Sequence, residues 1–392
     1  MIALMAAIAI VGGDVYTGDG DVQPGATVLV EEQRVVAVGT DVRIPESATR
    51  IDASGMIVTP GLIDAHSRIG VHGFMRGAPN VNEAVSGGDD DPIRAALQVA
   101  DVYNPMSDHV EVARAAGITG AVIVPRGGVV AGQSVFVDLH GATPIRKRSV
   151  GLSVDLTPGY SGGSRSRALL RRREVFEDAR LYRSNRGAYI GRRLRDLSVS
   201  AADLEILERT VSGALPVVFE VDRAAEIRTA LRLAREYRLD AVIVGGREAW
   251  LVADALAAAD VPVLVNPLET LPTGFDSLHS RADNAALLHR AGVRVVLTTR
   301  AESTYVPRLR WAAGNAVAAG LPYDAALRAI TAEPAAALGL ADVGVLRRGS
   351  FANLVIWNGD PLDVNSWAEL VMIHGEEVRL TTRQDELTER YK

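Results

Sequence analysis

Apolar positions along the chain follow two different rhythms. Over the first 58 residues they come in short β-branched runs, Ala9–Val11, Thr27–Val30 and Arg34–Val38, separated by Gly, Asp and Pro. That punctuation predicts strands and turns. The last 50 residues read the same way at Val343–Leu346, Asn353–Trp357, Leu370–Ile373 and Glu377–Leu380. Between them, apolar runs alternate with segments of helical spacing, such as Ile227, Leu231 and Ala234 on one face. The runs are Ile57–His66, Ile118–Val124, Val135–His140, Val150–Leu156, Pro216–Val221, Asp240–Gly246, Pro262–Asn266 and Val293–Arg300. Strands apolar on both faces and alternating with helices predict a parallel sheet, and eight of them predict a closed (β/α)8 barrel.

The expected architecture is therefore α/β: a TIM-like barrel over residues 59–341 and a small β-sandwich domain composed of residues 1–58 and 342–382, with residues 383–392 as a tail. Neither terminal part has enough strands to bury a core alone. Two long segments, Gly70–Asp108 and Thr157–Ser198, follow strand ends and are expected at the barrel mouth. Within the second, Gly159–Arg167 reads as a solvated loop and Arg171–Arg173 as one end of a solvated helix.

Composition narrows the function classes. At 48% hydrophobic and 23% charged, 392 residues bury a large core. With no cysteine, disulfides, Cys-bound metals and thiol nucleophiles are excluded. A net charge of −6 argues against a nucleic-acid partner. No apolar run is long enough for a membrane span. Met1–Val11 is apolar but lacks a basic start and flows into GGDVYTGDG, so a first strand is favoured over a signal peptide and the cytoplasm over export.

The stretch Val58–His66 (VTPGLIDAH) resembles the first barrel strand of the metal-dependent amidohydrolase superfamily. AGITGAVIVP (116–125), AGQSVFVDL (131–139), GGREAW (245–250), NPLETLP (266–272) and GSFANLVIWNGDP (349–361) extend the resemblance over nearly the whole chain, closest to the imidazolonepropionase-like amidohydrolases. The resemblance implies hydrolysis of non-peptide C–N bonds by water activated on zinc or another divalent ion. It also implies His-x-His on the first strand, His on the fifth and sixth, and an Asp base on the eighth.

This sequence keeps His66 but has Arg68, Glu220, Gly245 and Arg300 at those positions. Ser153 and Asp155 stand where a bridging Lys or Glu is common, and Lys147 precedes that strand. Arginine has no lone pair to give a metal. His72, His109, His140, His279, His289 and His374 complete the histidines; of these His140, ending the third strand, is the candidate substitute ligand. Thr298 and Thr299 read as satisfied barrel residues. No metal and no other cofactor is expected. The ligand inventory favours a degenerate metal site in a catalytically impaired homologue that binds a small anionic ligand or a protein partner, a homo-oligomer or an active paralogue. The alternative is an active amidohydrolase, metal-dependent or metal-free, using His66 with substitute ligands. His66, Arg68, Glu220 and Arg300 are expected to converge at the mouth, with a bidentate bond from Arg68 or Arg300 to Glu220.

Overall fold

The computed structural model describes residues 7–20, 22–71, 92–157, 164–300 and 303–392. His72, most of Gly159–Arg167 and much of Gly70–Asp108 lie outside them. In chain order the strands begin with β1 Ile8–Tyr16, β2 Val22–Glu31, β3 Arg34–Gly39, β4 Thr49–Asp52 and β5 Ile57–Pro60. The barrel strands follow: β6 Leu62–Ser67, β7 Ile118–Ile123, β8 Val130–Asp138, β9 Ile145–Asp155, β10 Val217–Val221, β11 Ala241–Gly245, β12 Val263–Val265 and β13 Val295–Leu297. The chain ends with β14 Leu354–Trp357, β15 Ala368–Ile373, β16 Glu376–Glu377 and an exposed helix, Arg383–Tyr391, where the sequence suggested only a tail.

Strands from both ends share one hydrogen-bonded sheet in the order β16-β15-β14-β5-β1-β2-β3, with β4 on the side of β1. Its junction is the antiparallel pair of β14 with β5, Val355 opposite Thr59. Ile10, Val28, Val58, Leu354 and Met372 form its core. All eight strands are linked in this one sheet, not in the two separate sheets that a sandwich implies.

β6 to β13 form a second eight-stranded sheet in sequence order, nearly closed into a barrel. It is not all-parallel. β8 runs antiparallel to both β7 and β9, while the remaining pairs are parallel. Only residues 124–129 separate β7 from β8, and only 139–144 separate β8 from β9. Parallel neighbours need a crossover of a dozen residues or more, so these links make hairpins.

The barrel interior is packed by Ile63, Val122, Phe136, Val150, Val218, Val244, Leu264 and Val296. A second apolar layer lies between strands and helices. No ladder joins β13 to β6. Backbone bonds from Ile63 to Ile330 (2.8 Å) and Leu297 to Ala329 (2.9 Å) bridge the seam, and side chains complete it at the mouth. Among the described residues no helix is long and apolar enough to cross a membrane.

At the opposite end, the β15–β16 turn docks on the barrel. His374 bonds Asp138, which also takes Arg146 at 3.0 Å, and His140 meets Glu376 at 3.1 Å. His140 is thus far from a ligand role: because β8 is reversed, the chain after it emerges beside the terminal sheet.

Candidate active site at the barrel mouth

A cavity of about 480 Å³ opens at the C-terminal ends of the parallel strands. It is lined by His66, Arg68, Val124, Pro125, Arg126, Glu220, Asp222, Arg247, Glu269, Arg300 and Tyr305. All four residues singled out in the sequence lie on its wall. On β6, Ile63 and Ala65 face the barrel interior, and a register break between Asp64 and Ser67 follows. His66, within that break, and Arg68, beyond it, reach the cavity. On β10 the alternation is regular, so Val218 packs inside and Glu220 stands above it at the rim.

Asp64 anchors this corner. Its fully buried carboxyl accepts hydrogen bonds from the hydroxyls of Thr298 and Thr299 and from the His66 backbone N–H. Thr298 also donates to the His66 carbonyl at 3.3 Å. These bonds close the mouth end of the β13–β6 seam and fix the backbone that carries His66. The two threonines are satisfied, as their sequence context suggests. Burial pulls the His66 imidazole down to about 4, with Glu220 working against that shift, so the ring is neutral at pH 7.

Arg300 is the centre of the charge cluster. Its Nη1 donates to Asp222 Oδ1 at 2.9 Å and Oδ2 at 3.2 Å, and to Glu269 Oε2 at 3.1 Å; Nη2 is 3.5 Å from Glu220 Oε1. The expected bidentate bond to Glu220 is therefore not the one that forms. Asp222, just past β10, is nearer the guanidinium and takes its closest contacts. Arg247 caps the group from the other side, with Nε 2.7 Å from Glu269 and Nη1 2.7 Å from Thr273. The three carboxylates raise Arg300 above its ordinary range despite its burial. Burial opposes ionisation of Glu220, yet Arg300, then His66 and then Arg126 hold its carboxyl below the usual value. Asp222 stays raised by burial, with the Glu269 charge adding to it.

Position 245 shows why the cluster fits. Gly245 has φ +100°, and a Cβ there would lie 2.5 Å from Asp222 Oδ1 and 2.9 Å from Arg300 Cζ. The space that a side chain on the sixth strand would use is filled by the Arg300–Asp222 pair.

The remaining candidates are elsewhere. Asp155 lies opposite Glu220 in the β9–β10 register and is raised by burial and then by the Glu220 charge. Ser153 meets Ser134 at 3.3 Å. Lys147 sits near the start of β9, bonded to the Gly339 carbonyl at 3.1 Å. Arg172 corrects the reading of Arg171–Arg173 as wholly solvated. It is buried on helix Arg165–Ile190 with Ala168, Val175 and Ala179, and burial brings it to about 10 against the opposing charge of Asp155. His109 is buried on a helix, and His279 bonds Glu248 at 3.1 Å. Asp222, Arg247, Glu269 and Arg126 were not among the sequence candidates. They sit beyond strand ends, where the period-two pattern stops.

The donor set suits a divalent ion poorly. Positions 68 and 300 carry guanidinium groups and position 245 carries no side chain. The carboxylates of Glu220, Asp222 and Glu269 already face Arg300. Among the described residues no group of three or more His, Asp or Glu side chains is placed to hold a metal.

Comparison with known proteins agrees with this architecture. Residues 206–378 match the model of the amidohydrolase family. The chain is 26% identical over 373 residues to imidazolonepropionase of Cereibacter sphaeroides, covering 88% of this chain and 91% of that one. It is 24% identical over 411 residues to amidohydrolase tasK of Hapsidospora irregularis, covering 92% of this chain but only 41% of that longer protein. The crystal structure of an amidohydrolase from Thermotoga maritima superposes with a TM-score of 0.86 at 27% identity, over 96% of this chain and all of that one. The chain belongs to the amidohydrolase superfamily.

Proposed function

We propose that this chain is a metal-free member of its superfamily, impaired in C–N bond hydrolysis, whose barrel mouth binds a small molecule. The observation that carries this reading is the Arg300 guanidinium among Glu220, Asp222 and Glu269. A permanent cation supplies the positive charge that clustered carboxylates require, and it repels a dication brought to the same place. The test is elemental mass spectrometry on protein purified without chelator, with a panel of cyclic amides and ureides assayed before and after chelation. The reading expects metal well below one ion per chain and no chelator-sensitive turnover. Stoichiometric metal lost on replacing His66 would sink it.

The neutral His66 ring supports a second reading, hydrolysis without metal. The imidazole faces the cavity and no other residue hydrogen bonds to it among the described residues. A base pulled down to about 4 is available at neutral pH but weak, so turnover would be slow. Chelator-insensitive hydrolysis that disappears in His66→Gln would select this reading over the first.

A further inference from the structure

The loop between β12 and helix Asn284–Arg290, residues 266–283, has inverted polarity. Its polar groups are bonded to the chain. Arg247 holds Glu269 and Thr273, Arg165 bonds Asp276, and the Thr273 N–H donates to Ser277 Oγ at 3.0 Å. Trp250 Nε1 donates to the His279 carbonyl at 2.9 Å, and the His279 N–H donates to the buried Glu248 at 3.1 Å. Its large apolar side chains face water instead. Phe275 is 85% exposed and Leu271 73%, and Leu268 and Leu278 are exposed as well. A scattered surface leucine needs no explanation, but four such residues spaced three or four apart on one anchored loop do.

Together they present on the order of 450 Å² of apolar surface, the size at which a patch on a soluble chain marks a contact site. One side of a standard interface buries about 800 Å², a little over half of it non-polar, so this patch supplies the apolar share of one such face. The charges around it are already neutralised. Glu269 is paired with Arg247 and Arg300, Asp276 with Arg165, and Arg281 with Asp283. Such a frame has no field to draw in a strongly charged partner. Two chains of net charge −6 also approach most easily where the facing surface carries no unpaired acid. A second copy therefore fits the patch: in a two-fold contact the same apolar face stands on both sides and no like charges are forced together.

We propose that the outer face of loop 266–283 is a two-fold interface between copies of this chain, with Phe275 and Leu271 as its anchors. The bonds to Arg247, Trp250 and Glu248 hold the loop in place before association, which lowers the ordering cost of binding. Glu269, on the same loop, belongs to the wall of the mouth, so the partner would sit beside the cavity rim. The contact does not depend on whether the mouth holds a metal.

The test is sedimentation velocity on the full chain from about 0.5 to 100 μM, a range that brackets micromolar association. We expect the mass to reach that of two chains and to stop there. Phe275→Glu and, separately, Leu271→Glu should each weaken the dimer at least about thirtyfold, as loss of a central apolar anchor does. Val364→Glu, at an equally exposed apolar residue in the β14–β15 link, should leave it unchanged. Circular dichroism at the lowest concentration checks that each variant folds. A single-chain mass at 100 μM would overturn the proposal, as would growth past a dimer. So would a dimer that survives both loop variants, or one that Val364→Glu weakens equally. A monomer that instead pellets with phosphatidylcholine vesicles would assign the patch to a lipid surface and overturn it too.

Discussion

Replacing Arg300 with methionine keeps much of the side-chain bulk and removes the charge. Three carboxylates then face one another with Arg247 as their nearest cation. Breaking a buried ion pair from one side costs about 3 to 5 kcal/mol when the site is dry. This site is only partly dry. Side-chain exposure is 11% for Arg300 but 21% for Asp222, 23% for Glu269 and 34% for Glu220. Water reaches the acids, so we expect roughly 2 to 3 kcal/mol at pH 7.5. The pH dependence has a definite sign. Without the guanidinium the folded-state carboxyls rise above their unfolded values, and such groups lose their stabilising contribution as pH increases through the folded value. The deficit should therefore shrink at pH 5, where the crowded acids take up protons. A manganese or zinc salt should partly restabilise the variant and leave the parent unchanged, because only the variant offers free lone pairs. Urea unfolding at the two pH values, with and without metal, measures all of this. A loss below about 1 kcal/mol with no pH dependence would refute the claim that Arg300 neutralises the mouth.

Gly245→Ala should destabilise by roughly 1 to 3 kcal/mol, since its Cβ meets the Arg300–Asp222 pair in a left-handed backbone; Gly141→Ala, with φ +102° but open space around it, should cost less in the same urea assay. The His66 ring, pulled down to about 4, should show no NMR titration between pH 5.5 and 8. Its contribution to stability is complete above the unfolded value near 6.5 and is lost as pH falls toward 4, so His66→Gln should flatten the acid limb of the stability curve. Asp138→Ala should cost about 3 kcal/mol by thermal or urea unfolding, because it leaves Arg146 and His374 without their buried acceptor.

What could be read in the sequence follows from where simple periodicity holds. Each barrel strand overlaps one of the apolar runs, although Ile57–Pro60 of the first run joins the terminal sheet and β8 starts at Val130, ahead of its run at Val135–His140; His66, Glu220 and Arg300 reach the mouth because strand ends do. The reversal of β8 was also readable, not from hydrophobicity but from two links too short for a crossover. Arg172 shares a helical face with Ala168, Val175 and Ala179, so spacing alone separates it from its solvated neighbours. Asp222 and Glu269 are different. Their approach to Arg300 depends on turn geometry after β10 and β12, which no alternation encodes. Arg126 is hidden for the same reason, in a turn whose role depends on what lies across the mouth.

Gly245 and Arg300 also bear on the routes by which this barrel changes over time. A side chain at 245 meets Asp222 and the Val221 carbonyl as well as the guanidinium, and losing the guanidinium leaves three acids with Arg247 as their nearest cation. Each single step away from this arrangement therefore costs the folded chain stability, whichever comes first. The two positions are coupled: a side chain at 245 needs compensating changes at 222 and 300, or an external cation to hold the acids during the intermediate step.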